Sequence, residues 1–243
     1  MRIAFLSDIH GNELALDAVL ADIQEIGCDR VYVLGDICFR GYAPKACLDK
    51  VRDIADGVLK GNADAWIVRG VKEGEVPADM LEVMNGEREW ALHWLDPADV
   101  EYLESLPMTL ESSEQEDGVR WLAFHATPTD LFSVIPVNAP ESVIERDIIG
   151  DREHRLFLYG HIHLPYVRKY RDRTIVNLGS VGLPFDGVAQ ASYAVIDTDK
   201  TETRIDMRRV PYDVEKAAER LESAGYPRAL YVAEILRQGR LPS

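Results

Sequence analysis

Residues 1–12 read MRIAFLSDIHGN. The stretch from Arg2 to Ser7 is short and mostly apolar, and it gives way abruptly to Asp8-Ile9-His10-Gly11-Asn12. A buried strand that delivers a polar loop to a ligand site has this form. The pattern recurs downstream. Residues 31–34 (VYVL) end at Gly35-Asp36, and residues 57–60 (GVLK) end at Gly61-Asn62. Between these runs, Leu14, Leu16, Ala18, Val19 and Ile23 recur at helical spacing up to a stop at Gly27, and residues 44–56 read as a helix starting near Pro44. Strand–helix–strand–helix–strand within the first 62 residues predicts a parallel α/β layer, with ligands at the carboxyl ends of its strands.

The rhythm then changes. Residues 71–106 are rich in Glu, with Trp90, Leu92, Trp94 and Leu95 as apolar anchors and a helix start at Asp96-Pro97 and Asp99, which predicts a helical insertion. Residues 107–125 return to strand around a charged turn at 111–118, and residues 156–159 (LFLY) end at Gly160-His161-Ile162-His163. From 166 to 210 the runs YVRKY, TIVNLGS, SYAVID and TRIDMRRV predict an antiparallel block distinct from the opening layer. Residues 213–238 read as an amphipathic helical segment broken near Gly225-Tyr226-Pro227. One domain over 1–243 is expected to hold all of this.

The chain carries a net charge of −15, which repels nucleic-acid backbones at long range and disfavours a nucleic-acid polymer as substrate. A small phosphorylated substrate stays compatible, because bound metal inverts the local field. No leader sequence is visible at 1–12, and no segment approaches the ~20 apolar residues of a membrane span. Cys28, Cys38 and Cys47 form neither an even framework nor a CxxC pair, so reduced thiols in a cytoplasmic protein are expected. The oligomeric state has no readable signal.

The polar residues at the strand ends are Asp8, His10, Asp36, Asn62, His125, His161 and His163. Two carboxylates, one amide oxygen and four imidazoles suit Mn, Fe, Zn or Ni rather than Ca or Mg alone. Asp8/His10 and His161/His163 are i, i+2 pairs, which point the same way from an extended segment. A lone histidine is more often a packed, hydrogen-bonded side chain than a ligand, and a lone Gly-Asp is a common turn. The weight lies in the full ordered set. Around it, Asn12 could bind phosphate or cap the next helix. Arg40 could reach a substrate oxygen. Asp64 is the nearest titratable neighbour of Asn62, against a plain loop-bonding role. His93, His154 and Cys38 read as packing or surface residues.

The series DIHGN, LGDIC, KGNAD, FHATP and GHIH resembles the motifs of the calcineurin-like metallophosphoesterases over residues 1–200, nearest to small bacterial and archaeal members with phosphodiesterase-type sites. The resemblance implies a four-layer αββα sandwich of two mixed sheets flanked by helices. It implies one metal on Asp8, His10, Asp36 and His163 and another on Asp36, Asn62, His125 and His161, bridged by Asp36. Two such ions, Mn or Fe favoured, would clamp a phosphoryl group and supply hydroxide as nucleophile, with Asp36, Asn62 and His125 in catalytic roles. Many members carry a His after the Asn of the third motif as proton donor; here the residue is Ala63, and members lacking that His include phosphodiesterases. The expected activity is therefore hydrolysis of phosphodiesters of small molecules or nucleotides. The alternatives are a phosphomonoesterase or protein phosphatase on the same site, or a scaffold without turnover like the retromer subunit of this superfamily. Asn177-Leu178-Gly179-Ser180 resembles the family's Asn-Pro-Gly-Ser turn, with Leu178 departing from it.

Overall fold

The computed structural model describes residues 1–112, 118–198 and 202–242. Two mixed five-stranded sheets stack face to face. The first contains β1 (Arg2–Leu6), β2 (Arg30–Val33), β3 (Gly57–Val58), β9 (Ala191–Thr198) and β10 (Thr203–Val210), in the order β10-β9-β1-β2-β3. The second contains β4 (Thr109–Glu111), β5 (Trp121–Phe124), β6 (Leu156–Tyr159), β7 (Tyr166–Tyr170) and β8 (Arg173–Asn177), in the order β4-β5-β6-β8-β7. Strands β1, β2 and β3 run parallel, as do β5, β6 and β8. Residues 113–117 of the charged turn read at 111–118 lie outside the described residues.

The side-chain alternation of each central strand sorts residues between layers. Ile3 and Phe5 of β1 face the second sheet, while Ala4 and Leu6 face helices. Trp121 and Ala123 of β5 point inward, whereas Leu122 and Phe124 point to the far helical layer. Phe5, Tyr32 and Trp121 meet between the sheets, with Trp121 edge-on to both partners at 5.0 Å. The near helical layer is built from α1 (Glu13–Ile26), α2 (Pro44–Ile54), α3 (Asn62–Arg69), α4 (Leu81–Leu92) and α5 (Pro97–Ser105). The far layer is α6, a turn at Glu141–Val143 continued by a π-helical stretch Ile144–Ile149. Helices α7 (Val214–Ser223) and α8 (Ala229–Gln238) pack as a pair over Leu183 and break where the Gly225-Tyr226-Pro227 signal lies. This is the four-layer sandwich.

Two expectations are corrected. The stretch 166–210 is not one antiparallel block. Its first hairpin, β7–β8, completes the second sheet, while β9 pairs antiparallel with β1 and carries β10 into the first. Burial explains the split: β9 is buried along nearly its whole length and needs both faces covered, which the position between β1 and β10 provides. β7 alternates half-buried and exposed residues, as an edge strand does. The i, i+2 pairs are also not extended. Asp8 and His10 sit at φ 56° and 49°, and His161 and His163 at φ 67° and 57°, all in the left-handed region.

Candidate metal centre

All seven candidate residues converge at one edge of the sandwich. Asp8 and His10 follow β1, Asp36 follows β2, and Asn62 opens α3 just beyond β3. His125 follows β5, and His161 and His163 follow β6. The loops are locked to one another by backbone bonds: Asp8 N–H donates to Gly35 O, His10 N–H to Asp36 O, and Gly160 N–H to His125 O. Ser180 Oγ donates to the Asp8 carbonyl at 2.7 Å, and Asn177 Nδ2 donates to the Gly160 carbonyl, so the Asn177–Ser180 turn ties both metal-facing loops together. Asp36 and Arg40 join the four residues above in positive φ. Each such non-glycine residue costs on the order of 1 kcal/mol, and their concentration here is the kind of strain that functional sites hold.

Atom placement defines two halves. In the first, Asp8 Oδ1 lies 3.0 Å from His163 Nε2 and 3.7 Å from His10 Nε2. His10 Nδ1 faces the Phe39 carbonyl at 2.8 Å and His163 Nδ1 faces the Leu183 carbonyl, so both rings carry their proton on Nδ1. Both Nε2 lone pairs then look at each other across 3.2 Å. That contact is stable only with a proton or a metal cation between the nitrogens. In the second half, His125 Nδ1 faces the Leu34 carbonyl at 2.7 Å, while its Nε2 lies 2.8 Å from Asn62 Oδ1 and 3.3 Å from Asp36 Oδ2. His161 turns Nδ1, not Nε2, toward Asn62 Oδ1, at 2.8 Å.

Two fully buried atoms in this cluster have no hydrogen-bond partner, Asp8 Oδ1 and His161 Nε2. The first is what a carboxylate awaiting a cation looks like. The carboxylates demand positive charge around them. Burial opposes ionisation of Asp8, but positive charge at the facing His163, with hydrogen bonds donated by His10 and His163, outweighs it and holds the carboxyl well below its usual range. Burial likewise works against the His125 cation, yet the Asp36 carboxylate drives His125 up to about 10. A cation satisfies the same demand without protonating an imidazole. Asp8, His10 and His163, and separately Asp8, Asp36 and His125, each present ligand atoms within 4.8 Å of one another. The donor set fits borderline transition metals.

Asp36 sits between the halves. Its Oδ1 accepts from Ala63 N–H at 2.7 Å, leaving Oδ2 to face His125 at 3.3 Å and His10 at 3.7 Å. Glycine is required where these carboxylates touch backbone: a Cβ at Gly61 would collide with Asp36 Oδ1, and one at Gly160 with Asp8 Oδ2.

Among the weaker candidates, two are corrected. Asn12 does not face the cleft. Its Oδ1 caps α1 at Ala15 N–H and its Nδ2 donates to Gly182 O, so the amide is consumed by structure. Asp64 is also withdrawn from the cleft: fully buried, its carboxylate accepts from the backbone N–H of Asp36, Ile37 and Gly61. Burial, with the charge of Asp36 behind it, pushes Asp64 up to about 6 against those three donors. Arg40 does line the cleft, its Nε donating to Glu87 at 3.2 Å. His93 stacks edge-on against Trp94, His154 pairs with Glu111, and Cys38 is buried in the helix-side core. The sequence reading missed Phe39, Trp66 and Phe185, which wall the cleft, and Glu87, which anchors Arg40 from α4.

The calcineurin-like phosphoesterase superfamily domain matches residues 1–201. The chain belongs to this family. An uncharacterised protein of Methanocaldococcus jannaschii is 30% identical, with 98% of each chain covered. The phosphodiesterase YfcE of Escherichia coli K12 is 25% identical over 82% of this chain and 89% of its own. Among solved structures, a metallophosphoesterase from Sphaerobacter thermophilus is similar at TM-score 0.80 and 26% identity, covering 98% of this chain and 99% of that one. A hypothetical protein of Pyrococcus horikoshii shares the fold at TM-score 0.81 and 21% identity, over 99% of both chains. The centre at the sheet edge is thus the candidate metal site of a calcineurin-like phosphoesterase, and the chain is a hydrolase of phosphoester bonds. Among the described residues, no helix is long and apolar enough to cross a membrane.

Proposed function

We propose that this phosphoesterase is a dinuclear metal-dependent phosphodiesterase acting on small phosphorylated molecules, with Mn or Fe as the favoured ions. The observation that carries this reading is the convergence of seven donor side chains around two orphaned or opposed lone-pair positions. Asp8, His10, His163 and Asp36 would hold one cation, and Asp36, Asn62, His125 and His161 the other, with Asp36 shared. When bound, such ions supply Lewis acidity at the phosphoryl oxygens and activate water as the nucleophile.

The rest falls to the chain itself. Arg40 lines the cleft and uses Nε for Glu87, so its terminal NH groups would be the ones to meet phosphoryl oxygens. Glu87, fully buried, keeps the guanidinium from swinging away. Trp66 and Phe185 narrow the cleft and limit water. Among the described residues lining the cleft, no side chain outside the donor set is placed to protonate a leaving group. Ala63 has no titratable atom, Asp64 faces away, and every histidine of the cleft belongs to the donor set. General acid assistance is worth ~10²–10⁴-fold for a poor leaving group, so a site without it favours diesters with acidic leaving groups. The name of the Escherichia coli relative, a phosphodiesterase, points the same way.

Metal-loaded protein should hydrolyse bis(p-nitrophenyl) phosphate with a higher kcat/KM than p-nitrophenyl phosphate. A preference for the monoester would replace this reading with a phosphomonoesterase. Inactivity toward both, with metal bound, would leave the scaffold.

A further inference from the structure

The cavity over the metal-facing residues holds about 160 Å³, and a second cavity of about 740 Å³ opens beside it. His161 and Phe185 line both, so a group leaving one space enters the other past the same two side chains. The smaller volume suits a phosphoryl group. The larger lies in the range that holds a whole small-molecule ligand.

The larger cavity has a distinct chemistry. Val134, Val137, Leu164 and Leu241 supply apolar walls, and Asn138 and Arg240 are polar members at the rim. Among the described residues no carboxylate side chain lines it, in a chain with net charge −15. Of the eight large hydrophobic residues exposed among the described residues, three gather here: Val134 at 68%, Val137 at 41% and Leu241 at 50%. Singly exposed apolar side chains need no explanation, but a cluster at the mouth of a polar site marks a binding surface.

Both walls are formed in advance. On one side, Tyr159 Oη donates to the Ile135 carbonyl at 3.3 Å, Ala139 N–H to Pro136 O at 2.9 Å, and Arg168 Nη1 to Ala139 O at 2.7 Å. These bonds fix the 134–139 loop with its valines outward. On the other, Gly187 N–H donates to Gly239 O at 2.8 Å, which seats the chain immediately before Arg240 and Leu241. A preformed apolar wall binds without an ordering cost.

We propose that this cavity is a subsite for one ester group of the substrate, and that this group is uncharged and mainly apolar, such as an aryl substituent. The proposal rests on the phosphodiesterase reading for its connection to catalysis. A diester brings two substituents to a metal cavity with room for neither. One of them would lie past His161 and Phe185 on the apolar walls, and its burial would hold the phosphoryl group in the smaller cavity.

The test separates the two ideas. Full-length, metal-loaded protein is titrated calorimetrically with methyl(phenyl)phosphinate and with dimethylphosphinate, which share the anionic phosphorus, carry only unhydrolysable P–C bonds and differ in one substituent. The phenyl compound binds about tenfold more tightly. Val134→Asp and Leu241→Asp, exposed and on opposite walls, each abolish most of that preference. Equal affinities in the wild-type protein, or a preference that survives both substitutions, overturns the subsite. Turnover of bis(p-nitrophenyl) phosphate is measured in parallel. A phenyl preference without turnover keeps the subsite and removes the phosphodiesterase reading, whereas turnover with equal affinities does the reverse.

Discussion

The two halves of the metal centre use the same side-chain types but are held differently. In the half built on Asp8, His10 and His163, both imidazoles are oriented by backbone carbonyls, and His163 also stacks on Phe185 at 4.2 Å between ring centres. In the half built on Asn62, His125 and His161, only His125 has such an anchor. His161 faces inward through Nδ1, and its outer nitrogen has no partner. An outer hydrogen bond fixes a ligand's tautomer and orientation, and its loss typically costs ~10–100-fold in metal affinity. On the proposed dinuclear reading, the first half would be a preorganised site and the second a site completed by its ion.

Asp36 joins the halves, so its removal should have the largest effect. Asp36→Ala takes a carboxylate from both positions and leaves two cations facing each other with less neutralisation. It should lower kcat/KM on the order of 10³-fold and release both ions, read together by kinetics and elemental analysis. Asp8→Ala sharpens the point, because Asp8 Oδ1 also reaches 3.9 Å from His125 Nε2. Should Asp8→Ala lose both ions while Asp36→Ala retains one, Asp8 is the bridge.

A step smaller is Gly160→Ala. The added methyl meets Asp8 Oδ2 and Ser7, and displaces the carboxylate rather than removing it. About a ten- to hundredfold weakening of metal binding is expected, with the ion of the first half lost preferentially. Unchanged affinity would show that the Asp8 loop is softer than its packing indicates.

The asymmetry itself predicts an order of release. Graded chelation should remove one equivalent at about ten- to hundredfold lower chelator strength than the other. His161→Ala should abolish that early phase, and His163→Ala the late one. Simultaneous release of both ions in the wild-type protein would break the comparison.

The smallest expected effect lies at Arg40. Arg40→Ala should raise KM about tenfold with metal content intact, since its proposed role is to bind substrate oxygens and not the ions. Glu87→Gln should reproduce part of that rise, because the amide oxygen still accepts from Nε but lacks the charge. An effect of Glu87→Gln on metal content would place Glu87 in a different role.

The convergence of the seven candidate donors was legible because each lies in a loop that follows an apolar run, and strand ends bring such loops to one edge. The helix cap at Asn12 and the loop role of Asp64 were each readable as alternatives, and the hydrogen bonds to Ala15 N–H and Asp36 N–H decide for them. Other features left no trace in sequence. The carbonyls of Phe39, Leu34 and Leu183 orient the rings through backbone atoms, which any residue would offer. The left-handed conformations of Asp8, His10, His161 and His163 are uncommon outside glycine, and although Asp and His tolerate them better than most residues, no local sequence pattern marks them. The assignment of β9 and β10 to the first sheet depends on pairing with β1 across about 190 residues, which local pattern does not encode. Glu87 looks like any other acid in a Glu-rich helix until the fold brings Arg40 to it.

The most direct test of the account is the metal content of protein purified without chelator and reconstituted with Mn²⁺ or Fe²⁺. The opposed Nε2 lone pairs of His10 and His163, the orphaned Asp8 oxygen and the inward-facing His161 predict about two equivalents per chain, the second bound more weakly. A single equivalent that no added metal raises would leave the Asn62–His125–His161 half without an ion, and a value near zero in folded protein would contradict the metal centre altogether.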